Sequence, residues 1–382
     1  MKKIALYNVT TTTKTGGVES FVWELARHLA QLYPDLQIAI IGGNPPEGFN
    51  FPEVPANVQI ITRPFISRET LRKFPLLKNR FFGFTKLLER LTFGFRCLPL
   101  LWREKYDILH IQKPYDLPLA KLVRLLRGTK VLFGCHGKDF FPFDRFFAKN
   151  LDGAVSCSHY NATTVQEHYH ILPEVVYNGI DVELFSLRKP DPALRARYAA
   201  PEQPVLIFVG RLVRWKGTEY LIKALPLLNQ KGITPKVLIA GDGTYKATLQ
   251  KMAQESGVSE QVVFLGNVPN HKLPAYYAIS EIVVGTSFAN ETFGIALCEA
   301  SACERPIVAS NFGGFQEVVR NGETGYLYEP QNPQALAEKL EILLRNPQQA
   351  EQMGKNARQF MLENFTWQKV AARVYAVYQR IS

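Results

Sequence analysis

The segment FANETFGIALCE, residues 288–299, places two carboxylates, Glu291 and Glu299, on either side of an aromatic-glycine turn, Phe293-Gly294. Upstream of it EIVVGT, from Glu281, reads as a short buried strand, and downstream the chain reads as a helix running to Cys303. Amide groups at the start of a helix have no partner inside it and suit phosphate. Ionised glutamates accept hydrogen bonds only and therefore suit hydroxyl groups. Phosphate flanked by hydroxyls describes a nucleotide-sugar.

The same strand–loop–helix alternation extends to both sides. Toward the C-terminus PIVAS and GYLYEP continue it, with SNFGGFQEVV from Ser310 between them. Toward the N-terminus come VLIFVG, KVLIAG and VVFLG, which brings the strands of this half to six. Short, nearly continuous apolar runs separated by helices argue for parallel strands buried on both faces, a doubly wound sheet. Ligands in such sheets sit at the carboxyl ends of the strands. The first strand ends in GRLVRWKG, from Gly210, where Arg211 and Lys216 suit a diphosphate. Arginine grips phosphate oxygens in pairs, and lysine acts as a point charge. GDGTY from Gly241 and GNVPNHKLPAYYA from Gly266 end the next two strands, and the backbone near Val268 can reach a base edge.

A charged, proline-bearing stretch over 186–203 separates this half from another like it. Seven strands are expected there, at KIALYN, QIAIIGG, VQIIT, DILHIQ, KVLFGCH, GAVSCS and EVVYNG. The first leads through TTTTKTGG into a helix over 18–31, with Gly16 and Gly17 allowing close backbone approach. This loop is not G-x-G-x-x-G, so the dinucleotide fingerprint is absent. HGKDF, from His136, follows a strand end, making His136 and Asp139 candidates for sugar contacts. Asn178-Gly179 in YNGID is a turn signal at the expected crevice.

With 382 residues, 46% of them hydrophobic, the chain suits about two domains. Five scattered cysteines without a C-x-x-C pair indicate neither a disulfide framework nor a zinc site. The apolar run at the N-terminus stops at Asn8, too short for a signal peptide, and no run approaches the ~20 residues of a membrane span. A cytoplasmic location is expected. The net charge of +11 is concentrated between Arg63 and Lys105, where eleven basic residues stand against three acidic ones. That stretch also carries Phe65, Phe74, Phe81, Phe82, Phe84, Phe93, Phe95 and Trp102, and its Leu87, Leu88 and Leu91 alternate with Lys86 and Arg90. A basic amphipathic helix with aromatics suits an anionic bilayer, so residues 63–105 are expected to hold the protein peripherally on the cytoplasmic membrane face. A solvated charged face with its aromatics packed inward is the competing expectation. No nucleic-acid-binding pattern accompanies the charge, and no nucleic acid partner is expected.

Taken in order, TGGVES, NGID, GRLVRWKG, GDG, the Glu291-x7-Glu299 element with its FGI turn and GGFQEVVRNGETGYL resemble the retaining GT-B glycosyltransferases of family 4 over nearly the whole chain. The resemblance implies two Rossmann-like domains facing a central cleft. These would be an acceptor-side domain over 1–186, a nucleotide-sugar domain over 187–365, and a last helix over 366–382 that crosses back. It implies that Arg211 and Lys216 hold the donor diphosphate, that Glu291 contacts the donor sugar, and that Glu299 contacts the ribose. Amides near Phe293, Gly294 and Ile295 would assist, with Gly210, Gly241 and Val268 around the nucleotide. Gly16 and Gly17 would approach the phosphates, His136 the sugar, and Asp139 and Asn178 the acceptor side. No metal and no cofactor are implied, because cationic side chains take the place of the divalent ion. The donor implied is a UDP-sugar, or else a GDP-sugar, and the acceptor a saccharide, lipid-linked or part of an envelope polysaccharide. A small soluble acceptor, a nucleotide-sugar epimerase, a phosphorylase and a non-catalytic nucleotide-sugar-binding subunit remain alternatives.

Overall fold

The computed structural model describes residues 3–73, 82–149 and 151–382. Phe74, Lys78, Arg80, Phe81 and the Phe82 side chain of the basic stretch lie outside the described residues. The chain forms two compact units, Met1–Gly179 with Trp367–Ser382, and Ile180–Thr366.

The first unit holds a seven-stranded sheet of β1 (Lys3–Tyr7), β2 (Gln37–Gly43), β3 (Val58–Arg63), β4 (Ile108–Ile111), β5 (Lys130–Cys135), β6 (Gly153–Ser156) and β7 (Glu174–Val175). Their spatial order is β3-β2-β1-β4-β5-β6-β7, and every pairing is parallel. Alternation along β1 sends its side chains to two cores. Ile4 and Leu6 pack with Val22, Leu25 and Leu29 of the helix Gly17–Leu32, and with Val370, Val374 and Tyr378 of the last helix, Trp367–Ile381. Ala5 and Tyr7 face Phe93, Cys97 and Leu101 of the helix Phe82–Glu104. Each large side chain buried this way contributes about 1.5–3 kcal/mol.

Gly179 has a different use from the turn read in the sequence. A Cβ there would sit 2.3 Å from Trp367 Cδ2, so the missing side chain is what lets the indole of the last helix seat.

The second unit holds six parallel strands, β8 (Val205–Val209), β9 (Lys236–Ala240), β10 (Val262–Gly266), β11 (Ile282–Gly285), β12 (Ile307–Ser310) and β13 (Gly325–Tyr328). Their order is β10-β9-β8-β11-β12-β13. Leu206, Phe208, Ile239, Ile282 and Val284 pack against Leu221, Leu225, Leu336 and Leu340. All thirteen strands lie where the apolar runs place them.

Strand order fixes where each unit can bind a ligand. In the first sheet it reverses between β1 and β4, in the second between β8 and β11. Loops leaving two such strands diverge to opposite faces and leave a crevice between them.

Candidate active site

At the second switch point the loop after β8 carries Arg211 and Lys216, and the loop after β11 carries Glu291. Lys216 Nζ lies 2.6 Å from Glu291 Oε2. The Ser287 hydroxyl donates to the same oxygen at 2.9 Å. The two loops are stitched by backbone as well: Thr286 Oγ1 donates to the Lys216 carbonyl at 2.6 Å, and the Phe288 amide donates to the Trp215 carbonyl at 3.0 Å. Gly217 makes this approach possible. Its φ is +66°, and a Cβ would lie 2.2 Å from the Thr286 carbonyl oxygen. Arg211 is exposed, with its guanidinium 5.7 Å from the Trp215 ring centre. Among the described residues its side chain makes no hydrogen bond or ion pair within the protein.

The turn after Glu291 ends in Gly294, at φ +106°, which caps the helix Ile295–Ala302. The first amides of that helix, from Ile295, are left for a ligand. Phe293 is buried against Phe365, and the Glu291 carbonyl accepts from the Gly314 amide at 3.0 Å, fixing the turn to the loop after β12. One helical segment on, Glu299 is buried and accepts from Asn270 Nδ2 at 2.9 Å. Burial pushes its pKa up to about 7, against the pull of the Asn270 and Tyr277 hydrogen bonds. Val268 lies just before Asn270, in the loop after β10. Gly210 and Gly241 touch: a Cβ on Gly241 would fall 1.9 Å from the Gly210 carbonyl oxygen. Arg211, Lys216, Glu291, Glu299 and the glycine loops therefore all belong to the carboxyl edge of one sheet.

His136, Asp139, Asn178, Gly16 and Gly17 belong to the first unit. His136 follows β5, half-buried, with Nε2 2.8 Å from Gln112 Oε1 and its edge against Phe21. A carboxamide oxygen only accepts, which puts the ring proton on Nε2. Burial, aided by Lys113 and His110, pushes its pKa down to about 3, so the ring is neutral. Asp139 is partly exposed in the loop after β5 and is held by two cations. Its two carboxylate oxygens are taken by Lys86 and Lys113, each at 3.0 Å. Burial alone would raise the Asp139 pKa, but the two lysines outweigh it and hold it at about 2. Asn178 is buried beside Gly179, and Gly16 and Gly17 open the helix after β1.

Four residues at these loops escaped the sequence reading. Thr286 and Ser287 fix Lys216 and Glu291, Asn270 fixes Glu299, and Gln112 orients His136. Two of them directly follow β11, a position that is itself a signal; the other two are recognisable only from partners far along the chain.

A family model described as Glycosyl transferases group 1 matches residues 191–360, and one described as Glycosyltransferase Family 4 matches residues 15–184. The chain belongs to the family 4 glycosyltransferases. Its two parallel-sheet units are those of the GT-B fold, as the motif order implied. Among its relatives is the GDP-mannose-dependent alpha-(1-6)-phosphatidylinositol monomannoside mannosyltransferase of Mycolicibacterium smegmatis, 36% identical over 51% of this chain. The aligned part spans about half of that relative, 53%. The enzyme of the same name in Mycobacterium tuberculosis is 29% identical over 67% of this chain and 71% of its own length. A sucrose-phosphate synthase from Thermosynechococcus elongatus has the same fold, with a TM-score of 0.80 at 21% identity, covering 100% of this chain and 99% of that one.

Proposed function

We propose that this glycosyltransferase moves a hexosyl group from a nucleoside diphosphate sugar to a hydroxyl acceptor with retention at the anomeric carbon. The observation that carries the reading is the Lys216–Glu291 pair at the second switch point, with Arg211 beside it and a helix start facing the same loop. Arg211 and Lys216 take the diphosphate and stabilise the charge that grows on it as the sugar–phosphate bond breaks. Preorganised donors aimed at developing charge supply much of the rate enhancement in many such steps. Phe293, Gly294 and Ile295 supply amides to the same phosphates, and Glu291 turns to the sugar hydroxyls. Glu299 takes the ribose, and Gly210, Gly241 and Val268 line the nucleotide. Gly16, Gly17, His136, Asn178 and Asp139 keep the donor-phosphate, sugar and acceptor roles implied by the family resemblance, as part of this proposal.

The mycobacterial relatives, named as GDP-mannose-dependent transferases acting on a phosphatidylinositol mannoside, shift the donor proposal from a UDP-sugar toward GDP-mannose. They also favour a lipid-linked acceptor. Exposed apolar groups of the first unit support a bilayer site for it: Phe95 and Trp102 on the basic helix, Leu125 on the helix Leu117–Arg127, and Phe143 and Phe146 beyond it. Arg127 lies over Trp102 at 4.8 Å, which joins two of these elements into one basic-aromatic surface. Among the described residues no helix is long and apolar enough to cross a membrane. Incubating the protein with GDP-mannose and UDP-hexoses, with and without anionic vesicles, tests this reading. Transfer from one donor, with retained configuration, is expected; donor turnover that needs no acceptor would replace it with epimerase chemistry.

A further inference from the structure

The switch point of the first sheet is also built, and the cations proposed for the donor diphosphate belong to the other unit. Between the loops after β1 and β4 lies a cavity of about 180 Å³. Thr10, Lys14 and Glu19 line it from the β1 side, and Lys113 and Tyr115 from the β4 side. Asp139 closes it from the loop after β5, and Arg68, Lys86 and Arg90 from the basic stretch over 63–105. The volume falls below the ~300 Å³ at which pockets for drug-sized ligands begin, and suits a small charged group.

Its charges are unequally matched. Arg90 is committed to Asp116 at 2.6 Å, and both are buried. Arg68 is committed to Glu89 at 2.9 Å. Lys86 and Lys113 both meet the Asp139 carboxylate, one at each oxygen. Lys14 stands at the rim with no ion pair among the described residues. Lys86 comes from a helix and Lys113 from a strand end; they converge on the position of one tetrahedral or trigonal anion. The Tyr115 ring lies 5.6 Å from Lys86 Nζ and walls that position on one side.

We propose that this cavity binds a phosphate group of the acceptor, and that the Asp139 carboxylate occupies its place until the acceptor arrives. The proposal rests on the transferase reading above and names a chemical feature of the acceptor that reading leaves open. A phosphate oxygen pair replaces the carboxylate oxygens between Lys86 and Lys113, with Lys14 supplying the further charge a phosphate needs. Such charge-assisted contacts are about twice as strong as neutral ones. The phosphate could belong to a soluble sugar or polyol phosphate or to a phospholipid headgroup; both present the same oxygens.

The test is a calorimetric titration of the full chain with glycerol 3-phosphate and, separately, with glycerophosphoglycerol as the headgroup of a phosphodiester lipid. Saturable binding of at least one probe is expected. Lys86→Gln and Lys113→Gln should each weaken it about tenfold or more, the worth of one charge-assisted contact. Asp139→Asn, which keeps the shape and removes the competing charge, should tighten it several-fold. Preference for the monoester assigns a soluble acceptor, and preference for the diester a lipid. Binding of GDP and UDP, measured on the same variants, should not change, which also shows that they fold. Probe affinity indifferent to both lysine changes, or weakened in Asp139→Asn, overturns the proposal. If the probes bind as expected but no donor sugar is transferred, the transferase reading fails while the anion site stands. If transfer proceeds with an acceptor KM untouched by Lys113→Gln, the site fails while the transferase reading stands.

Discussion

The two switch points use charge in opposite ways. In the second unit one lysine meets one glutamate, an arginine beside them has no ion pair among the described residues, and glycines keep the surrounding backbone close. In the first unit four cations around a cavity, Arg68, Lys86, Arg90 and Lys113, are held on three carboxylates, Glu89, Asp116 and Asp139, with two lysines on one aspartate. The first arrangement leaves a cation exposed, as the proposed diphosphate role requires. The second holds its cations on an internal carboxylate, which the proposed acceptor phosphate would displace.

Removing the cations of the second unit should have the largest effect. Arg211→Ala and Lys216→Ala are each expected to lower the transfer rate by about 10²–10³-fold, the usual loss for one preorganised donor. Arg211→Ala should leave the melting temperature unchanged, whereas Lys216→Ala also takes the cation from the buried Glu291 carboxylate and should lower it. Steady-state kinetics with the identified donor checks this; rates within a few-fold of the parent chain would break the contrast. Paired cations of the first unit should instead show up in stability. Arg90→Met leaves Asp116 buried without its partner and should cost about 3–5 kcal/mol in urea unfolding. Arg96, exposed on the same helix, should cost under ~0.5 kcal/mol when changed to alanine.

Backbone and titration effects come next. Gly217→Ala forces a Cβ at positive φ into the Thr286 carbonyl, and should destabilise by about 1–3 kcal/mol while weakening nucleoside diphosphate binding. Glu299 sharpens the electrostatic side. Its pKa in the fold is raised, to about 7, so the stability its protonated form contributes is complete at acid pH and is lost as pH rises through about 7. Glu299→Gln should therefore gain stability over the parent chain at pH 8, on the order of 1–3 kcal/mol, and lose that advantage toward pH 5. A ribose hydroxyl donates to the ionised form, so donor affinity should rise between pH 6 and 8 in the parent chain and stay flat in the variant. Calorimetry across that range measures both. The smallest effect is expected at the surface: Trp102→Ala should reduce sedimentation with anionic vesicles at low salt by a few-fold, with no change in donor binding.

The contrast also explains what the sequence could disclose. Strands announce themselves as short β-branched runs, because burial on both faces leaves no room for polar alternation. The proposed donor loops are equally legible as loops at one sheet edge, since GRLVRWKG and the Glu291–Glu299 element each keep their charged residues within one loop and one helix. The first-unit cavity is assembled from Thr10, Lys86, Lys113 and Asp139, which meet only because β1 and β4 are neighbours in the sheet. That adjacency is a fact of topology that no local pattern carries. For the same reason residues 63–105 read as one basic surface, although Lys86 and Arg90 turn inward to Asp139 and Asp116 while Arg96 and Trp102 face solvent. Gly179 adds a smaller case: the Asn178-Gly179 pair reads locally as a turn, while the room the missing Cβ leaves is filled by Trp367 from far along the chain.

The diphosphate assignment admits a direct test. Titrating GDP and UDP into the parent chain and into an Arg211→Ala/Lys216→Ala double variant, with melting temperature as the fold control, isolates the second switch point. Micromolar-range binding of one nucleotide that weakens by about 100-fold or more in the folded variant is the predicted result. Equal affinity in both proteins would contradict it, since the phosphates would then be held somewhere other than between these two cations.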